Sequence, residues 1–472
     1  GSSVDRWVHR VVPRVASGIC RGVDHHCPRE GLVPDDCRVV PARFLGHCVT
    51  CHPPAMLPPL RRDSWRNERH DQLRHFVFGL LAACPPLFAQ AVWSMGAPWL
   101  DLNQVIAMAA PGDVVQLNGL QFPPFTMNKG LTLIGPGTIL PFTSVPTNQV
   151  TRFAAPAGEL AHVVDVTFTT HPVFQAFTNG VEATGAVTFE GCSFGPSNPA
   201  NLTVDGTVLL HHCTIAGNVN GGSYAVGGMR VLAGTCAIVD CTLLGASAVF
   251  SGSYASYIVP PSPALSVFGG TVLVSSSTLS GGAGMAHPMF GAPLPGEPAV
   301  IVTAGSLSLC DCSLAGGGSP SQLPGPVALV GNAATFHGRT TLAGGGGSTT
   351  GASSSGPVQH LPQLVGMRIS AQFRLGSTTT LTATSGSSQP LGMVASFDPT
   401  PSTHPAVIDP IFGPLGQLVP LFQTLPANGQ QIPHVVGVPN QPHLLGVALQ
   451  VQAYQLDGNF VRMSAAAGGV LH

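Results

Sequence analysis

Five segments of this chain align without gaps: GAVTFEGCSFG from Gly185, GTVLLHHCTIA from Gly206, GTCAIVDCTLL from Gly234, GTVLVSSSTLS from Gly270 and GSLSLCDCSLA from Gly305. In each, a glycine stands seven residues before a Cys/Ser column formed by Cys192, Cys213, Cys241, Ser277 and Cys312, and an apolar residue follows two after it (Phe194, Ile215, Leu243, Leu279, Leu314). Apolar residues also stand five and three before that column, as in Val187 and Phe189 or Val272 and Val274, which is the period of a strand with one buried face. The alternation then slips by one residue, so the unit reads strand, sharp bend, strand, with the bend at pairs such as Glu190-Gly191 or Val239-Asp240. Glycine-to-glycine spacings of 21, 28, 36 and 35 residues bracket one solenoid coil plus insertions. Each coil can bury its apolar edge only against the next, so the repeats require one another.

Upstream, residues 102–110 carry a short helical pattern, followed by PGDVVQL from Pro111 and KGLTLIG from Lys129. With these runs the chain resembles the right-handed parallel β-helix proteins of the pectate-lyase-like superfamily over roughly residues 101–345. The resemblance implies an all-β fold in which the small helix caps the open end of the first coil, and it implies little about activity. The last weak rung is residues 333–342, giving a β-helix over 92–345. The Gly/Ser-rich stretch 346–357 then reads as a flexible linker by composition. Strand-length stretches at 367–373, 378–383, 392–397 and 445–456 place a second, small β-sandwich-like domain over 358–472. Its end, PNQP from Pro439 and LGVALQVQA from Leu445, resembles the C-terminal domains appended to exported planctomycete-type bacterial proteins.

The charges divide the chain. Of 19 Lys+Arg, twelve are arginines before Phe76, whereas only Lys129 and six arginines follow Ala91. Arg61, Arg62, Arg66, Arg69 and Arg74 precede the apolar run 76–88, and Ala89-Gln90-Ala91 supplies a small-residue cleavage pattern, so 56–91 reads as a secretory signal too short to span a bilayer. Met56 is the first methionine, and 1–55 reads as spurious upstream or disordered sequence. The expected mature chain is exported, secreted or held at a bacterial cell surface, without a membrane span. Seven basic residues against thirteen acidic ones after Ala91 exclude a nucleic-acid binder. Cys48, Cys51 and His52 match the C-x-x-C-H haem attachment pattern, but five cysteines and five histidines within 52 residues, ahead of the export signal, favour a chance match. Cys20, Cys27 and Cys37 with His25 and His26 lack the paired C-x-x-C of a zinc site. No cofactor is assigned.

The Cys column would stack thiols about 4.8 Å apart, inside disulfide range, yet parallel side chains favour a ladder of buried free thiols. Enzymes of the resembled superfamily work with clustered carboxylates, or with Ca²⁺-binding aspartates and a basic residue. Asp240 and Asp311 share one bend column with Ser276 between them, about 9.6 Å apart if coils stack regularly, near the outer limit for an inverting hydrolase. His212 stands at the same bend of the adjacent rung, beside His211. These three are the catalytic candidates, and the bland alternative is that bend residues are simply solvated. The insertions 217–233, 245–269 and 281–304 all follow the same point of the coil. They carry Tyr224, Phe250, Tyr254, Tyr257 and Phe290, with Met285 and His287, including three of the four tyrosines. Aromatics on one face suit an extended glycan, although such loops also pack on themselves. The preferred expectation is a non-catalytic exported protein that binds a polysaccharide or cell-surface glycan through stacked loops. The alternative is a divergent polysaccharide lyase, with Ca²⁺, or a glycoside hydrolase. Oligomeric state is not legible.

Overall fold

The computed structural model describes residues 91–95, 101–140, 149–169, 179–195, 200–219, 225–251, 257–286, 292–332, 334–398 and 400–472. The haem and zinc patterns and the signal sequence up to Gln90 lie outside these residues, as do Tyr224, Tyr254, His287 and Phe290 and the side chains of Phe250 and Tyr257. The described residues all belong to one compact unit.

The unit is a parallel β-solenoid with three strand ladders per coil. The first ladder runs from Val92–Ser94 through Ala186–Glu190, Thr207–His211, Thr235–Val239 and Thr271–Ser275 to Val358–His360, every pairing parallel. The second takes the short strands after the bend: Ser193–Phe194, Thr214–Ala216, Thr242–Leu244, Thr278–Ser280, Ser313–Ala315 and Thr341–Ala343. The third stacks the return strands, among them Gln149–Phe153, Asn179–Ala183, Ala200–Val204, Leu265–Val267 and Val300–Val302. In-register pairing lines up identical repeat positions, so Val208, Cys236, Val272 and Leu307 follow one another in a fully buried file. Fully buried apolar files of this kind form the single core that the repeats share.

Two backbone conditions shape each coil. At the bend one residue adopts left-handed φ: Asp165 (53°), Gly191 (62°), His212 (51°), Asp240 (51°), Ser276 (52°), Asp311 (55°) and Arg339 (48°). Short polar residues and glycine tolerate that region best, which explains why Asp, His and Ser recur there. Before the first strand, the repeat glycine meets backbone: a Cβ at Gly234 would strike the Gly206 carbonyl oxygen, and Gly270 and Gly305 are crowded the same way by the coil above. The helix Leu102–Met108 closes the first coil with Leu102, Val105 and Ile106 buried, and Lys129 Nζ donates to the carbonyls of Ile106, Ala107 and Ala109 at its C-terminal end. Asp113 of the PGD run accepts from the Ala91 and Ala110 amides and the Trp93 indole.

The stretch 346–357 is not a free linker. Ser354–Ser355 pairs in parallel with Leu329–Val330, and Val358–His360 pairs with Thr335–Gly338, so the solenoid continues to His360. Two of its glycines answer a steric need: Cβ atoms on Gly347 and Gly351 would strike the carbonyl oxygens of Leu323 and Pro326. Composition that signals flexibility in a free chain here permits backbone to lie on backbone.

The C-terminal domain is antiparallel β. Thr378–Thr384 pairs with Gly366–Ile369 and Gln431–Gly437 in one sheet. Ala448–Asp457 pairs with Leu391–Ser396, Phe460–Met463 and Ala467–Val470 in the other, with Val419–Thr424 on the outer side of Leu391–Ser396.

Candidate functional site

The bend column carries the three catalytic candidates, and the C-terminal domain lies along it. The segment from Leu364 to Arg374 ascends the column rung by rung. At the lowest rung, Arg339 pairs with Asp311 (Nε to Oδ1, 2.8 Å) and its Nη1 donates to the Leu364 carbonyl at 2.8 Å. Gly366 abuts the Asp311 carboxylate, where a Cβ would not fit. One rung up, the Met367 amide donates to Ser275 Oγ (2.8 Å) and Ser276 Oγ donates to the Met367 carbonyl (3.1 Å). Next, the Ile369 amide donates to Asp240 Oδ2 (2.7 Å), with the exposed Arg368 guanidinium 3.4 Å from Oδ1. At the top, Gln372 Nε2 donates to Asp165 Oδ1 (2.7 Å), and Arg374 stands 3.6 Å from Oδ2.

Beside the column, Glu190 and His211 are neighbours in the first ladder and wholly buried. Glu190 accepts the Phe373 amide through Oε1 (3.3 Å) and the Val470 amide through Oε2 (3.1 Å). His211 Nδ1 lies 3.9 Å from Oε1, too far for a hydrogen bond, and neither of its ring nitrogens has a partner. Burial pushes the Glu190 carboxyl up to about 8, against the pull of the Val470 and Phe373 amides, and pushes the His211 imidazole well down, helped by His212. The rest of the seam is apolar: Leu209, Ala237, Val239 and Leu273 share a core with Met367, Ile369, Phe373 and Ala467 of the C-terminal domain.

This geometry gives the three catalytic candidates structural neighbours along the seam. Asp240 and Asp311 stand on one column as the repeat predicts, but each holds its own partners and the strand Gly366–Ile369 overlies the space between them. Burial raises the Asp240 carboxyl, opposed by the Ile369 amide, His212 and Arg368. His212 lies against His211 with ring centroids 4.2 Å apart and planes tilted by 37°. The three do not converge on an open groove, and what they build is a domain seam. Sequence reasoning missed Glu190 and the apolar strip. The signal was present as the unbroken runs 208–210, 236–239 and 272–274, in which Leu209, Ala237 and Leu273 interrupt the alternation; a strand covered on both faces reads this way.

The opposite corner behaves differently. Gly217, Gly245, Gly281 and Gly316 each donate an amide to the coil below, so the insertions leave from one corner in a stack. Tyr257 pairs with Ser251, and Ile258 with Phe250, in an antiparallel hairpin. Tyr224, Tyr254 and Phe290, and the rings of Phe250 and Tyr257, lie outside the described residues. Between the neighbouring loops a shallow cleft of about 380 Å³ is lined by Ala283, Gly284, Ser319, Pro320, Ser321 and Gln322, all uncharged.

Cys192, Cys213, Cys241 and Cys312 are buried free thiols, as are Cys236 and Cys310. Among the described residues no group of three or more His, Cys, Asp or Glu side chains is placed to hold a metal ion, and no helix is long and apolar enough to cross a membrane. No protein-family model matches the chain, and no curated protein matches it in sequence.

Proposed function

We propose that this chain is an exported, non-catalytic binding protein of the bacterial cell surface or extracellular space, whose solenoid presents stacked loops to a neutral glycan or a similarly elongated ligand. The observation that carries this reading is the division of labour between the two corners of the coil. Asp240 is engaged by the Ile369 amide of the C-terminal domain and Asp311 by Arg339 of the solenoid, while the loop corner offers a cleft lined by hydroxyl, amide and backbone groups without charge. Such a lining matches the donors and acceptors of a neutral sugar. The likeness of the PGD and KGLTLIG runs to the pectate-lyase-like superfamily supports a polysaccharide-related role, and the likeness of the C-terminal end to exported planctomycete-type domains supports export.

The test is retention of the full chain on a panel of insoluble and immobilised polysaccharides, scored together with release of reducing or unsaturated sugar ends. The expected result is retention by at least one neutral polymer without product release, weakened by Gln322→Ala and by Tyr254→Ala with Tyr257→Ala. Product release that Asp240→Ala abolishes would replace this reading with the lyase or hydrolase. Retention indifferent to all the loop substitutions would remove the loop corner from the proposal.

A further inference from the structure

The seam has an apolar half and a polar half, and the polar half is poorly satisfied. Around Glu190, the buried atoms His162 Nδ1, Thr188 Oγ1, both His211 nitrogens and both polar atoms of the Gln450 amide have no hydrogen-bond partner. They are contiguous. His162 and Thr188 are register neighbours in the first ladder, Leu209 follows Thr188, and the Gln450 side chain borders Gly468, which touches Leu209. Glu190 itself reaches across to two amides that belong to different parts of the C-terminal domain, Phe373 and the final strand Ala467–Val470.

We infer that the Glu190–His211 pair makes docking of the C-terminal domain on the solenoid pH-dependent, with release favoured on the alkaline side when Glu190 loses its proton in a seam that holds no cation against it. The groups facing the pair are few. On the solenoid they are Asp165, His162, His212 and Cys213, and Asp240 belongs to the next coil. From the C-terminal domain come Arg374, which pairs with Asp165, Arg368, which pairs with Asp240, and His472, whose Nδ1 lies 2.9 Å from the Val470 carbonyl. A carboxylate at Glu190 therefore keeps its two amide donors, with the Asp165 charge opposing it.

The signs follow from linkage. Glu190 holds its proton to about pH 8 when docked, whereas a solvated carboxyl loses it near 4.5. The docked state thus has its full advantage below about pH 4.5 and loses it as pH rises through about 8. The imidazoles act in the other direction. Burial holds His162 down to about 3 and His211 well below its usual value of 6.5, so docking weakens as pH falls below 6.5. Docking is therefore tightest near pH 6.5 and loosens on either side, on the alkaline side until about pH 8. Release would uncover the apolar strip Leu209, Ala237, Val239 and Leu273.

The experiment is hydrogen exchange on the full chain from pH 5.5 to 9.5, corrected for intrinsic rates and read at the Met367 and Ile369 amides. These report docking through Ser275 and Asp240 rather than through the pair itself. The inference expects their protection to fall roughly tenfold or more between pH 6 and 9, while the Val272 amide inside the solenoid holds steady. Glu190→Gln should flatten that alkaline limb. Because Gln presents an NH₂ toward one donor amide, a second variant, Glu190→Met with His211→Phe, removes both members of the pair at similar volume and should dock without the alkaline fall. A flat wild-type profile, or an alkaline fall retained in the double variant, overturns the inference.

Discussion

The two corners of the coil solve the same geometric problem in opposite ways. At the bend column the chain turns on one left-handed residue, so side chains survive there, and Asp165, His212, Asp240, Ser276 and Asp311 are free to differ from rung to rung. At the loop corner the chain turns by laying backbone on backbone. Ala246, Gly282, Gly317 and Gly345 form a file in which a Cβ on each glycine would strike the carbonyl oxygen of the residue above it. Each of these glycines also donates its amide to the returning limb of the preceding insertion: Gly282 to Ser262, Gly317 to Glu297 and Gly345 to Pro326. A corner made of side chains can be docked against, and the C-terminal domain does so. A corner made of glycine backbone cannot vary in place, and its variation moves outward into the insertions. The contrast assigns internal assembly to the bends and leaves variation to the loops.

The contrast breaks most severely at the seam's largest anchor. Phe373 is wholly buried between the domains, so Phe373→Ala is expected to cost about 3–5 kcal/mol and to split urea unfolding into two transitions, the C-terminal domain leaving first. A single transition at a lower midpoint would mean that domain and solenoid are one cooperative unit. At the loop corner, Gly317→Val should cost at least about 3 kcal/mol, because the backbone it strikes cannot rotate away. Gly318→Ala, one residue on and with open space around its Cβ position, is the matched control and should move the midpoint by less than about 0.5 kcal/mol. Equal effects at the two glycines would show that the file is not sterically closed.

Asp240→Ala sharpens the distinction between docking and chemistry. Removing the carboxylate leaves the Ile369 amide without its acceptor in a half-buried seam, a loss of about 1–3 kcal/mol visible in urea titration. A catalytic aspartate would show the reverse pattern, with turnover lost and stability unchanged or improved.

The solenoid was legible because its signal is periodic. Seven-residue offsets from glycine to the Cys/Ser column recur five times, and each recurrence fixes the same inward file. The seam was harder to read, since it joins residues far apart in sequence, such as Glu190 and Val470, and no local pattern ties the two. What was readable in Asp240, Asp311 and His212 was their place on the bend, and polar residues at one height look alike whether they face a substrate or another domain. The Gly/Ser-rich stretch 346–357 misled for a related reason. Glycine content reports how small the side chains are, and only neighbouring coils decide whether that smallness serves freedom or close contact.

The finest test of the bend column uses Ser276, which combines a left-handed backbone with a docking hydrogen bond. Its φ of 52° costs a residue with a Cβ about 1 kcal/mol relative to glycine. Its Oγ donates to the Met367 carbonyl at 3.1 Å, a bond whose net contribution is about 1 kcal/mol. Ser276→Gly relieves the first and forfeits the second, so its stability should stay within about 0.5 kcal/mol of the wild type. Ser276→Ala forfeits the bond and keeps the strain, so it should lose about 1 kcal/mol, read by chemical denaturation at a pH where the seam is closed. The gap between the two variants measures the backbone strain less the larger unfolded-state entropy of glycine. If glycine and alanine proved equally stable, the left-handed turn would carry no part of the preference for Ser at this bend, which would rest on its hydrogen bond to the Met367 carbonyl.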